Sequence, residues 1–303
     1  MKRWIPLLLA VASLELSAQG TPKTLLWRIS GVGLQRASYL FGTVHSTDER
    51  AFRFGDSVAV AAGRVDVVAG ELDIDATGEQ AMELLELVRL PDDKRLEDLY
   101  RKKDWRVVEK AIKERLGYQA AFVMRIKPFF VIAMMGGPEK GTEHTEMLDD
   151  ELMDTARTHG QRVIGLETVE EQVSAMDVLS LEEQAAMLLE SIKNGGSESG
   201  LDDLLDAYAA QDLDRLVATT MEQEGMPAGL ERSLLIDRNT RMAHRMDSIM
   251  RGGETAFFAV GAAHLPRDTG LIALLREKGY TVDPVFSVYR QPEGVKLPEN
   301  DKN

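Results

Sequence analysis

Residues 38–45 read SYLFGTVH and residues 257–264 read FFAVGAAH. Each is an apolar run closed by Gly-x-x-His, and the chain has only five histidines, so two of them fall in one repeated pattern. SYLFGTVH is followed by a short Ala/Val helix pattern at 57–64 and then by VDVVAGEL at 65–72. FFAVGAAH is followed by a helix pattern at 269–278, stopped by Gly279, and then by a strand pattern at 280–289. Both units read strand, Gly-x-x-His, helix, strand, which is the order of a βαβ crossover. Near-continuous apolar strands fit parallel pairing with both faces buried. His45 and His264 would then emerge at carboxyl ends of strands, where open α/β sheets bind ligands.

Working outward, TLLWRI at 24–29 and the strand at 38–44 are joined by SGVGLQRA, a glycine-containing connection that predicts a hairpin. Between the two units, from about 78 to 251, segments such as LEDLYRKKDWRVVEKAIKERL, LDDELMDTARTH and LDDLLDAYAAQDLDRLVATTM carry apolar residues at helical spacing. RVIGLE at 162–167 is a strand pattern within this helical stretch. GGP at 136–138 and NGGSESG at 194–200 read as loops or hinges, and residues 291–303 as a disordered tail. The expected architecture is α/β: one domain over 19–290, with a mixed central sheet built from both ends of the chain and a large helical insertion covering it.

Residues 1–18, MKRWIPLLLAVASLELSA, have the form of an export signal: Lys2 and Arg3, an apolar core at 5–11, and Ala18 for cleavage. Leu16 at the −3 position fits cleavage poorly, which leaves an uncleaved anchor as the alternative. The stretch is short for a membrane span and is interrupted by Glu15; no other apolar run approaches about 18 residues. The reading is a secreted or periplasmic protein with no membrane span after signal cleavage. Cysteine is absent, which excludes disulfides, thiolate nucleophiles and thiolate metal sites. The net charge is −14; Lys2, Arg3 and Glu15 give residues 1–18 a charge of +1, so the remainder carries −14 − 1 = −15. That balance opposes electrostatic binding to nucleic acid or anionic lipid. HExxH, GxSxG, Walker A and GxGxxG are all absent.

Imidazoles at the strand ends can ligate a divalent metal or act as acid and base. A single such histidine reads as a hydrogen-bonded structural residue; two on matching strand ends favour chemistry, with Gly42 and Gly261 leaving room for close approach. Glu71 follows VDVVAG directly and should lie nearest the strand end. Period-two alternation places Asp73 on its side, with Leu72 and Ile74 opposite, and Asp73 and Asp75 read as a solvated strand end. Two histidines and one carboxylate make an open metal site with water in a remaining position. Without a metal, the same trio is a general acid and base acting on water.

Glu167 closes RVIGLE. Thr168 with Glu171 reads as a helix N-cap, while Glu167 has an equal claim to support of the site. Arg238 and Asn239 lie in LLIDRNTRMAHRM, an amphipathic helix with Leu235, Met242 and Met246 on its apolar stripe. Surface ion pairing is the default for such an arginine; reaching a carboxylate of the site or of a substrate is the alternative. His144 reads as a solvated loop residue, His159 as a helix-end residue suited to the dipole, and His244 as a surface residue.

In order, LLWRISG, SYLFGTVHS, GELD, RVIGLETVEEQ, LLIDRNTRMA and AFFAVGAAHLPRDTGLIALLREKGYTV resemble the TraB/GumN family, related to the Tiki proteins. The resemblance implies an α/β core of the erythromycin-esterase/ChaN-like fold with a helical insertion. The Tiki branch implies metal-dependent proteolysis supported by manganese or cobalt. Its paired motifs fall on Gly42 to His45 and Gly261 to His264, its acidic residue on Glu71, its Arg-Asn pair on Arg238 and Asn239, and its Leu-Glu-Thr block on Leu166 to Thr168. The leading expectation is therefore a secreted or periplasmic peptidase-type hydrolase. His45 and His264 would hold a divalent cation, with Glu71 as ligand or as general base, and activate water against a peptide or protein substrate. Arg238 and Asn239 would orient substrate or the site carboxylates. The same kinship implies two alternatives: haem or metal binding without turnover, and metal-free His/Glu ester hydrolysis.

Overall fold

The computed structural model describes residues 20–73, 78–135, 144–193, 198–221, 227 and 229–287. Strands β1 (Leu26–Ser30) and β2 (Ser38–Thr43) form the expected antiparallel hairpin, Leu26 opposite Phe41 and Ile29 opposite Ser38. Helix α1 (Ser57–Ala62) leads to β3 (Val67–Gly70). Helices α2 (Gly78–Leu87), α3 (Lys102–Leu116), α4 (Pro128–Met135) and α5 (Leu148–Thr158) precede β4 (Arg162–Gly165). Helices α6 (Val169–Met176), α7 (Leu181–Lys193), α8 (Glu198–Ala209), α9 (Leu213–Met221) and α10 (Asp237–Arg251) precede β5 (Ala256–Gly261), and α11 (Leu271–Glu277) joins β5 to β6 (Thr281–Val285).

The six strands form one mixed sheet in the order β4-β3-β5-β2-β1-β6. β1 is antiparallel to both its neighbours and all other pairings are parallel, so β1 alone runs against the rest. Both expected βαβ units are parallel crossovers, but neither joins neighbouring strands. β5, from the far end of the chain, is inserted between β2 and β3, while β2 and β1 lie between β5 and β6. In the β2–β5 register Gly42 faces Val260 and Thr43 faces Gly261. The two Gly-x-x-His motifs therefore finish side by side.

β3 stops at Gly70, two residues before the strand pattern in the sequence ends. Strand alternation consequently does not extend to Glu71 and Asp73, and the expectation that they share a face is corrected: Glu71 is buried, while Asp73 pairs with Arg157 of α5. Ile74 and Asp75 lie outside the described residues, as do 136–138, 194–197, 291–303 and the whole of 1–18. Residues 198–200, expected as loop, open α8 instead.

The helices between β3 and β5 divide between two apolar clusters. Leu148 and Ala156 of α5, Ala207 and Tyr208 of α8, Leu213 and Leu216 of α9, and Met242, Met246 and Met250 of α10 pack with the sheet residues. Val108 and Ile112 of α3, Val131 of α4, Val173 of α6 and Leu188 of α7 build a separate cluster. Helix α10 matters most for the site. Its buried methionines contribute roughly 1.5–3 kcal/mol each, which offsets placing Arg238 and Asn239 in the same buried face. Among the described residues no helix is long and apolar enough to cross a membrane.

Candidate active site

Packing accounts for both glycines of the repeated motif. A β-carbon on Gly42 would lie 3.0 Å from both Cα and Cβ of Ala262, so glycine lets the turn of the second motif rest against β2. A β-carbon on Gly261 would lie 3.1 Å from Oε1 of Glu71, the oxygen to which the Gly261 N–H donates at 2.7 Å. The first glycine admits the other motif; the second admits the carboxylate.

Glu71 is held on all sides. Its Oε2 accepts from Nη2 of Arg238 at 2.6 Å and from Nε2 of Gln172 at 2.9 Å. The same Arg238 donates through Nη2 and Nε to Glu167 at 2.6 and 2.9 Å. All three residues of this carboxylate–guanidinium–carboxylate bridge are buried. Burial alone would raise the Glu71 pKa; His264, Arg238, His45 and the Gly261 N–H outweigh it and hold the carboxyl below the usual range. Burial likewise opposes the charge on Arg238, and its two carboxylate partners more than restore it. Arg238 is not the surface ion pair of the default reading: it is buried and reaches Glu71 and Glu167. Thr168 meanwhile makes the full capping box with Glu171 at the start of α6, next to Glu167, which is ion-paired with Arg238.

His264 is buried in the short turn after β5. Asn239 donates from Nδ2 to the carbonyl of Thr269 at 2.8 Å, a partner that can only accept. Its Oδ1 must therefore face His264 Nδ1, 2.6 Å away, and that nitrogen must carry the hydrogen. Burial drives the His264 pKa down to about 4, against the pull of Glu71. Neutral His264 thus keeps its lone pair on Nε2, which faces Oε1 of Glu71 at 3.6 Å.

Two acceptors face each other here without a hydrogen between them, which is the donor chemistry of a cation site. Two ligands of a tetrahedral cation, each about 2.1 Å from it, stand roughly 3.4 Å apart. Glu71 and His264 fit such an ion as two of its ligands. Among the described residues no group of three or more His, Cys, Asp or Glu side chains stands in metal-holding array.

His45 follows β2 by two residues and faces a different partner. Its Nδ1 lies 2.9 Å from Oδ2 of Asp149, near the start of α5, and the other oxygen of Asp149 accepts from the Thr43 hydroxyl at 2.5 Å. The negative charge of Asp149 raises the His45 pKa to about 9. The ring is 59% exposed, so solvent screens this pair and no stability is assigned to it. Asp149 is the residue that sequence reasoning missed: LDDELMD reads as an acidic helix face, and only tertiary structure separates it from Asp150.

The other expectations resolve simply. His144 is not merely solvated: it stacks on Phe52 with ring centroids 3.4 Å apart. His159 closes α5 and His244 is exposed, both as expected. A cleft of about 460 Å³ opens beside Glu167, lined by Leu72, Asp73, Glu83, Gly165 and Glu170 among others.

The model of the TraB/PrgY/gumN family matches residues 25–284, nearly all of the described chain. The chain belongs to the TraB/PrgY/gumN family. Among curated proteins it is similar to the Metalloprotease TIKI2 of Danio rerio, 23% identical over 210 residues. That alignment covers 57% of this chain and 40% of the relative, so the chain spans well under two thirds of the curated protein it matches. No solved structure matches. The family motifs expected from the sequence all lie within the matched region: both Gly-x-x-His repeats, Glu71, Glu167 and the Arg238–Asn239 pair.

Proposed function

We propose that this TraB/PrgY/gumN protein is an exported, metal-dependent hydrolase of peptide bonds. The observation that carries the reading is the buried pair of Glu71 and His264, a carboxylate and a tautomer-fixed imidazole facing each other at 3.6 Å. In this reading Glu71 and His264 hold a divalent cation, manganese or cobalt by the Tiki resemblance. Such an ion, when bound, supplies positive charge to polarise a carbonyl and to acidify water. Arg238 keeps Glu71 ionised and fixed, with Glu167 as its second anchor. Asn239 keeps the lone pair of His264 on Nε2. His45, protonated below about pH 9, donates a proton to the leaving amine. The similarity to a protein named a metalloprotease supports a peptide substrate, and the basic and apolar segment at 1–18 supports export.

A second reading has an observation in its favour. The two histidines are driven to opposite protonation states, His45 up to about 9 and His264 down to about 4, which suits one acid and one base acting without a metal. The deciding experiment is cleavage of a fluorogenic peptide library by purified protein with manganese or cobalt and after exhaustive chelation. His264→Ala, Glu71→Gln and His45→Ala should each abolish turnover under the leading reading, and chelation should abolish it in the unmodified protein. Undiminished turnover after chelation selects the metal-free reading. Undiminished turnover in His264→Ala removes both.

A further inference from the structure

Both Gly-x-x-His rings present Nδ1 to a side-chain oxygen, although the residues that supply it share no sequence pattern. His264 meets an oxygen of Asn239, brought by α10, at Nδ1; His45 meets an oxygen of Asp149, brought by α5, at Nδ1. In each case Nε2 is the nitrogen left for chemistry. Asn239 enters the proposed site through the family resemblance, whereas Asp149 has had no role.

We propose that Asp149 is the positioning residue of His45, locking its ring through Nδ1 so that Nε2 is presented at the end of β2. This rests on reading His45 as part of the site.

Three observations carry it. First, Asp149 is itself fixed. Leu148 is buried in the sheet cluster, its N–H reaches the carbonyl of Ser46 at 3.4 Å, and the Thr43 hydroxyl donates to Asp149 Oδ1. The anchor thus rises from the same strand end that carries the histidine. Second, Oδ2 is a buried oxygen with no other partner, and the 2.9 Å approach of Nδ1 is off the line of a well-aligned hydrogen bond. A buried acceptor stranded in this way is costly, and among the described residues His45 is the group placed to relieve it. Third, the His45 ring is otherwise half exposed beyond a strand end, and no other hydrogen bond or ion pair holds it among the described residues. Removing Asp149 therefore frees the ring to turn.

The test compares Asp149→Ala with Asp149→Asn in the purified protein. The asparagine can reproduce the arrangement seen at Asn239, accepting from His45 Nδ1 while donating to the Thr43 hydroxyl. Two readouts are needed: kcat and KM on the fluorogenic peptide, and ring order of His45 from carbon-13 relaxation of its Cε1–H group. Asp149→Ala should lower kcat roughly 10- to 100-fold with little change in KM, and should loosen the ring. Asp149→Asn should keep the ring ordered, and should keep most of kcat only at acidic pH, where His45 stays protonated without the charge of Asp149. Thr43→Val, which preserves shape and removes the anchoring hydroxyl, should loosen the ring to a lesser degree; it carries the measurement if Asp149→Ala does not fold. An ordered ring in Asp149→Ala, or in Thr43→Val should that variant stand in for it, overturns the proposal. So does an Asp149→Asn variant whose ring is as loose as that of the alanine. A wild-type protein that cleaves no peptide would remove the peptidase reading while the ring measurement still decides the role of Asp149.

Discussion

Oδ1 of Asn239 lies 2.6 Å from Nδ1 of His264, and the amide nitrogen of Asn239 is committed to the carbonyl of Thr269. That one side chain sets which nitrogen of a buried histidine carries a hydrogen. Asn239→Asp replaces the donor by a carboxylate facing the Thr269 carbonyl and puts a negative charge beside the ring. The acidic limb of the pH–rate profile, set near pH 4 by His264, should then move upward. An unmoved limb would remove Asn239 from control of the ring.

Among the described residues Arg238 is the one cation bonded to both Glu71 and Glu167, and all three are buried. Arg238→Met leaves Glu71 without its guanidinium partner and Glu167 with only the longer contact to Arg241 at 3.5 Å, and should lower unfolding free energy by about 3–5 kcal/mol, measured in urea. Adding Glu167→Gln should recover part of that loss. A single variant as stable as the parent would mean that the bridge contributes nothing net.

Stability should also depend on pH through His264. Its folded pKa of about 4 lies below the usual 6.5, so between these values the unfolded chain binds a proton that the folded chain refuses. Stability therefore rises with pH across this window, by on the order of 3 kcal/mol for the full shift, and His264 adds no further slope below about 4. His264→Gln should flatten the midpoint of thermal unfolding between pH 4 and 6.5 relative to the parent. Parallel curves for the two proteins would contradict the depressed value.

The repeated glycines should fail differently. Gly42→Ala collides with backbone and side chain of Ala262, and an overpacking cost of about 1–3 kcal/mol is expected. Gly261→Ala collides with a carboxylate oxygen instead, so it should displace Glu71 and impair turnover more than it lowers the unfolding midpoint. Equal ratios of lost activity to lost stability would show that the second glycine is structural only.

Calorimetry with manganese gives a further check. His264→Ala and Glu71→Gln should lose binding, because these residues form the facing pair, whereas His45→Ala should retain it, since His45 is engaged by Asp149. Loss in all three would restore His45 as a ligand.

Much of this could be read from the residues in advance, for identifiable reasons. The strands of SYLFGTVH and FFAVGAAH are long apolar runs ending in glycine, and parallel strands buried on both faces have that composition. Arg238 and Asn239 are singled out by the family resemblance, while surface ion pairing stands as the default for the arginine. The structure shows why that default fails: both residues fall on the buried face of α10 between Leu235 and Met242, where a polar pair must find buried partners. Other features depended on long-range contacts. The insertion of β5 between β2 and β3 leaves no local mark, because sheet order is set by pairing across nearly two hundred residues. Asp149 meets His45 across 149 − 45 = 104 residues of sequence, and nothing in two adjacent aspartates says which one turns inward. The end of β3 at Gly70 was hidden by the apolar Leu72, which packs against the separate helical cluster.

The central place of β5 has a consequence for how the protein comes into being. Synthesis delivers β2 and β3 early, yet the strand that lies between them is made only after residue 255. Until then Glu71 lacks its Gly261 donor and His264 does not exist. A nascent chain thus holds Glu71 before either of these partners exists, and its sheet lacks the strand at its middle. Completion of the sheet and assembly of the Glu71–His264 pair are one event, timed by the last strands to emerge.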